Sequence, residues 1–141
     1  MALASFALVA VAAVAARAGV TPSLAVRIDA TAKLLRGGST VVVTGRATCQ
    51  AGQGLRIRGA MVQRSSGAYS GGVFPNGHGS ASCLGRAQQW TISSANEGSS
   101  GVPRFKLGAA EVCVLVSTHA RKIGATGLIQ SCRSVSVTQS R

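Results

Sequence analysis

Acidic side chains are nearly missing from this chain of 141 residues: Asp29, Glu97 and Glu111 are its three carboxylates, against fifteen lysines and arginines. Histidine is equally scarce, at His78 and His119. General acid–base catalysis and paired-carboxylate hydrolysis need such groups placed in sets, and this inventory leaves little to place. Asp29 and Glu111 fall in strand-like stretches and Glu97 in a loop, so solvated surface is the simpler reading for each. Aromatic residues make up 4% of the chain, too few to build a stacking surface for single-stranded nucleic acid. There is no C-x-x-C, and the two histidines are not spaced to complete a tetrahedral metal site, which argues against zinc. The Gly-rich Ser70-Gly71-Gly72-Val73 does not match a phosphate-cradling loop. Neither a catalytic residue, a metal nor a cofactor is expected.

What the chain does have is positive charge, small apolar residues and an even number of cysteines. The formal charge is +12, which draws a protein toward polyanions and away from basic partners. Arginine far outnumbers lysine, and Ala, Gly, Val and Ser dominate, a bias that GC-rich coding also produces. Residues 2–16 form an uncharged apolar run followed by Ala16-Arg17-Ala18, whose small residues suit signal peptidase. A secretory signal peptide is expected over residues 1–18, although the basic segment that ordinarily precedes such a run is missing. At this length the run is shorter than the roughly 20 apolar residues that a membrane span requires. No second long apolar segment follows, so the expected product is a secreted single domain over residues 19–141. Its four cysteines, Cys49, Cys83, Cys113 and Cys132, imply two disulfides behind such a signal.

Beyond residue 18 the pattern alternates apolar with polar residues over short stretches punctuated by glycine and serine. Seven strands are expected, over about Leu24 to Leu35, Thr40 to Cys49, Leu55 to Arg64, Ser80 to Leu84, Ala87 to Ser94, residues 107–118 and Leu128 to Thr138. Arg36-Gly37-Gly38-Ser39 reads as the turn after the first. In the second, Val41, Val43, Gly45, Ala47 and Cys49 share a face. In the third, Leu55, Ile57 and Met61 face inward while Arg56, Arg58 and Arg64 take the opposite parity. Residues 65–79, with five glycines and Pro75, read as the most mobile loop of the domain; Tyr69 within it is a candidate contact residue. Trp90 alternates with Ile92 and reads as core, with a carbohydrate-stacking platform as the minority alternative. Seven short strands with turn signals between them make an antiparallel β-sandwich.

Parity also bears on the cysteines. Cys113 and Cys132 both occupy the less apolar face of consecutive strands, where antiparallel pairing sets them opposite each other. Cys49 is then left for Cys83. The nested pairing, Cys49 with Cys132 and Cys83 with Cys113, remains open on sequence.

The run Thr40-Val41-Val42-Val43-Thr44-Gly45-Arg46-Ala47-Thr48-Cys49 with Gly52 after it, then Val62-Gln63, Cys83-Leu84-Gly85, Gln89-Trp90-Thr91 and Phe105-Lys106-Leu107-Gly108-Ala109-Ala110, resembles a largely uncharacterised family of small secreted actinobacterial proteins of immunoglobulin-like shape. The resemblance covers about residues 30 to 118. It implies an immunoglobulin-like sandwich without known catalytic residues, so it transfers no functional position to this chain.

Three functions follow as expectations. The leading one is a secreted, non-enzymatic binding or structural domain, with Arg56, Arg58 and Arg64, joined by Arg46, as candidate contacts for an anionic cell-envelope polymer, or with an extracellular protein as partner. The alternative is an inhibitor of an extracellular trypsin-like protease, presenting Arg121-Lys122 from the loop between Cys113 and Cys132. An enzyme is the least supported, given the thin supply of acids and bases.

Overall fold

Period-two alternation decides where this chain forms strands, and the computed structural model, which describes residues 24–95, 103–120 and 127–140, is built almost entirely from them. The expected signal peptide, Glu97, Arg121 and Lys122 lie outside the described residues. Nine strands follow in order: β1 Ala25–Ile28, β2 Thr31–Leu35, β3 Thr40–Thr48, β4 Gln53–Gln63, β5 Ala68–Phe74, β6 Ala81–Ser82, β7 Gln88–Ala95, β8 Gly108–Ala120 and β9 Gly127–Gln139.

The strands form a two-layered β-sandwich. On one side β3 pairs antiparallel with β1 and with β7. On the other, β9, β8, β4 and β5 form an antiparallel run, with two-residue β6 added to β4. The strand β2 joins the layers: it pairs antiparallel with the start of β3 and parallel with the end of β9. This corrects the expectation of one continuous first strand. At Asp29-Ala30 the chain changes partner, and the Asp29 N–H still donates to the Thr44 carbonyl at 2.9 Å, while Ala30 accepts from Ser136 N–H at 2.9 Å.

All ten positions expected to meet in the core do so. Val41, Val43, Leu55, Ile57, Trp90, Ile92, Val112, Val114, Val135 and Val137 are buried in one cluster between the layers, joined by Met61 and Phe105. Burial of these side chains is the main stabilising term, at roughly 1.5–3 kcal/mol for each large one. Two close approaches fix the packing, the first within the β1-β3-β7 layer and the second between the layers. Trp90 lies directly over Gly45, where a Cβ would stand 2.3 Å from the indole ring and 2.1 Å from the Arg27 carbonyl, so only glycine fits. At the other edge β5 and β7 approach so closely that a Cβ on Gly72 would stand 2.6 Å from Ile92, and Ser94 Oγ donates to Ser70 Oγ.

That contact belongs to a segment expected to be loop. Residues 65–79 instead contain β5, whose Ala68–Phe74 pairs with β4 from Gln63 back to Ile57. Gly71 and Gly72 misled because they lie within the strand, Gly72 where β7 approaches closely, rather than in a turn. Only Gly67, Gly77 and Gly79 of this stretch adopt positive φ, and they flank the strand.

The two disulfides join Cys49 to Cys83 and Cys113 to Cys132, so the nested pairing does not occur. Cys49 and Cys83 are buried. Cys113 and Cys132 are directly opposed in the β8–β9 ladder with Cα atoms 4.0 Å apart, on the face that points away from the core.

Candidate binding face

The four arginines read as one basic patch do not form one. Arg46 projects from β3 on the outer face of the β1-β3-β7 layer, whereas Arg56, Arg58 and Arg64 project from β4 and the residue after it, on the outer face of the other layer. Sequence parity assigns each side chain to an outer face but not to the same one; the layer assignment depends on which strands pair. Arg56 has a further role. It is half-buried, and its guanidinium donates to the Gly79 carbonyl at 2.6 Å and the Gly77 carbonyl at 3.4 Å. It therefore ties down the turn after β5, with less of its charge available to a ligand. Arg58 and Arg64 are exposed.

On the β1-β3-β7 layer, Arg46 stands directly opposite Arg27 of β1 and Gln89 of β7, with Thr44 and Thr91 one row along. Like charges facing each other on a sheet repel. Asp29 lies on this side too, accepting from Thr44 Oγ1 at 2.6 Å. Glu111 belongs to the other layer, so the two described carboxylates are not brought together.

The outer face of β5-β4-β8-β9 has a different character. Its registers set out three rows: Val73, Arg58, Leu115 and Gln130; Gly71, Ala60, Cys113 and Cys132; Tyr69, Val62, Glu111 and Ser134. Arg56, Ser117 and Leu128 continue beyond the first row. Four large apolar side chains are solvent-exposed here, Val62 at 49%, Tyr69 at 64%, Leu115 at 40% and Leu128 at 66%. Leu107 flanks the lower end, where it lines a shallow groove with Val62, Arg64, Glu111 and Ser134. These side chains share one sheet face, with the small residues Gly71 and Ala60 and the Cys113–Cys132 disulfide in the row between Val62 and Leu115. The sequence signal was present in part: Ala60 and Val62 share the outward parity of Arg58, and Leu115 shares that of Cys113. Tyr69 was missed as a strand residue because β5 was read as loop.

Other groupings carry less chemistry. Glu111 Oε, Cys113 Sγ and Cys132 Sγ lie within 4.8 Å of one another, but the two sulfurs are bonded to each other and offer no thiolate to a metal. Ser80 Oγ and His119 Nε2 are 3.2 Å apart, a pairing across 39 residues that sequence reading did not find. Both described carboxylates sit elsewhere, so no acid orients the ring, and the pair fastens the segment before β6 to the end of β8. His78 is exposed in the turn after β5. Trp90 is fully buried, which removes the carbohydrate-platform reading.

Gln63 is the buried polar residue that alternation did not anticipate as a structural centre. It is fully enclosed at the end of β4. Its amide donates to the Lys106 carbonyl at 2.7 Å, and its Oε1 accepts from Lys106 N–H at 2.8 Å and Ser66 Oγ at 2.6 Å. It thereby fixes the approach to β8 that places Leu107 and Glu111 at the lower end of the apolar face.

No family model matches this chain, and no curated protein is significantly similar to it. Two disulfides are consistent with an extracellular location, and no helix among the described residues is long and apolar enough to cross a membrane.

Proposed function

We propose that this chain is a secreted, non-catalytic sandwich of immunoglobulin-like type that acts by binding a protein through the outer face of β5-β4-β8-β9. The observation that carries this reading is the gathering of Val62, Tyr69, Leu115 and Leu128 on one solvent-facing sheet surface. Arg58 and Glu111 stand among these apolar side chains on the two central strands, with Arg64 at one end, so the face offers a partner both apolar area and charge. The immunoglobulin-like assignment is supported by β2, which passes between layers and runs parallel to the last strand, and by the sequence resemblance over residues 30 to 118. The thin supply of acids and bases supports a role without catalysis.

A photo-crosslinking residue in place of Ala60, compared with one in place of Thr91 on the opposite layer, tests this in the culture medium of the producing cells. Protein adducts are expected at position 60 and not at 91. Equal yields at both, or none at either, would refute the assigned face.

A second reading, contact with an anionic envelope polymer, is favoured by the net charge and by the facing pair Arg27 and Arg46, whose repulsion a bound anion would relieve. On this reading the contacts centre on Arg27 and Arg46, with Arg58 and Arg64 on the far layer. Retention on a polyphosphate matrix that falls steeply with salt, and falls further in an Arg27→Gln/Arg46→Gln variant, is the expected result. Retention indifferent to salt removes it.

A further inference from the structure

We propose that the Cys113–Cys132 bridge is a site of thiol–disulfide exchange, opened from its Arg58 side by a small thiol that carries a carboxylate. The inference is independent of whether the surrounding face binds a protein.

Access separates the two bridges, because exchange needs a thiolate to touch a disulfide sulfur. Cys49 and Cys83 are 0% and 4% exposed, which closes that bridge to a thiol in the folded protein. Cys132 is exposed and Cys113 half-buried on the outer face. Their row continues across β4 and β5 as Ala60 and Gly71, so no large side chain of that row screens Cys113. Two shallow hollows meet there, each lined by both Ala60 and Cys113. Opening the bridge leaves the strands joined. The β8–β9 ladder extends on both sides of it, from the Gly108–Val137 pair to the Thr118–Gly127 pair.

Charge selects between the hollows. The first is lined by Arg58, Leu115 and Gln130, with no carboxylate among the described residues. The second holds Glu111, whose Oε1 lies 3.8 Å from Cys113 Sγ. Arg64 lines the second hollow as well, but it lies beyond the Val62–Glu111 row, so the carboxylate is the nearer charge to the sulfur. Thiolate attack brings negative charge onto the sulfurs, and Glu111 repels it on that side. Arg58 attracts it on the other. Arg58 is the diagonal neighbour of Cys113 across β4 and β8, about 7–8 Å away by sheet geometry. Its side chain, together with a thiol two carbons from its carboxylate, covers that distance, so the guanidinium can hold the carboxylate while the sulfur reacts.

The exchange balances without a further oxidant or reductant. The incoming thiolate bonds to Cys113 Sγ as the Cys113–Cys132 bond breaks. The electron pair departs with Cys132 Sγ, the more open of the two, which takes up a proton from water. Strand β8 then carries the small thiol at the centre of the face, with a free thiol on β9 beside it.

The folded, disulfide-bonded protein treated at about pH 8 with 3-mercaptopropionate or 2-mercaptoethanol, then acid-quenched for intact mass and peptide mapping, tests this. Opening is expected at Cys113–Cys132 and not at Cys49–Cys83, with the far-ultraviolet circular dichroism unchanged. With rates taken per thiolate, the ratio of 3-mercaptopropionate to 2-mercaptoethanol should fall about threefold in Arg58→Gln, whereas Glu111→Gln should speed both thiols about threefold. The ratio is measured within each variant, so a general change in stability does not move it. Equal opening of the two bridges, or loss of the β signal as Cys113–Cys132 opens, overturns the inference. So does a ratio unaltered by Arg58→Gln, or rates indifferent to Glu111→Gln.

Discussion

The two outer faces of this sandwich are made from the same kind of pleated strand, yet one is turned to water by its chemistry and the other is not. Outward positions of β1, β3 and β7 are mostly polar, with Arg27, Thr44, Arg46, Gln89, Thr91 and Ser93 beside the small Ala25 and half-buried Val42. The equivalent positions of β5, β4 and β8 hold Tyr69, Ala60, Val62 and Leu115 alongside Arg58 and Glu111. Antiparallel sheets ordinarily solvate one face with polar side chains. The first layer follows that pattern and the second departs from it. The arginines are divided between the two faces, whereas the departure from alternation is confined to one, and it is that departure on which the proposed binding face rests.

The layers can be separated by mutation. Gly45→Ala should cost about 3–5 kcal/mol, because the added carbon meets a backbone carbonyl and the Trp90 ring, neither able to move without opening the β1-β3-β7 layer. Gly71→Ala in the apolar face, whose Cβ would stand 3.3 Å from the Gly59 carbonyl, should change stability by less than about 1 kcal/mol. Urea unfolding of both variants checks the contrast, and equal losses would show that the layers are not packed as described.

The two disulfides extend the comparison. Replacing Cys49 and Cys83 with alanine removes a buried bridge closing a separation of 34 residues and should cost roughly 4–5 kcal/mol. Replacing Cys113 and Cys132 removes one across 19 residues, on a surface where the β8–β9 ladder already holds the strands, and should cost roughly 2–3 kcal/mol. Thermal unfolding of the two variants should give that order; the reverse order would mean that the outer bridge organises the fold.

Gln63→Ala leaves the Lys106 N–H and carbonyl without their partner, and a loss of about 2 kcal/mol is expected, with faster hydrogen exchange at Lys106. Slow exchange retained at Lys106 would show that the amide is not what anchors that segment. The smallest effect belongs to the polar face. Arg27→Gln removes the charge opposite Arg46 and should stabilise by a few tenths of a kcal/mol at low salt and by nothing measurable at high salt. A loss of stability at low salt would mean that Arg27 contributes something other than repulsion.

Alternation within the chain determined much of this by itself: that Val41, Val43, Leu55, Ile57, Trp90, Ile92, Val112, Val114, Val135 and Val137 turn inward, that Arg58 and Arg64 turn outward, and that Cys113 and Cys132 share the less apolar parity of consecutive strands. Those are properties of a strand's own parity and of neighbouring strands joined in sequence, so local pattern suffices. Tertiary structure decided the rest. Whether Arg46 joins Arg58 depends on which layer each strand enters. Gly72 sits in a strand where β7 packs against it, and Arg56 is engaged because a distant turn presents its carbonyls. The apolar face exists because β5, β4, β8 and β9 lie side by side, bringing Tyr69, Val62, Leu115 and Leu128 together from four separate stretches. A strand's sequence specifies the two sides of its own ribbon, but only long-range pairing specifies which ribbons share a surface.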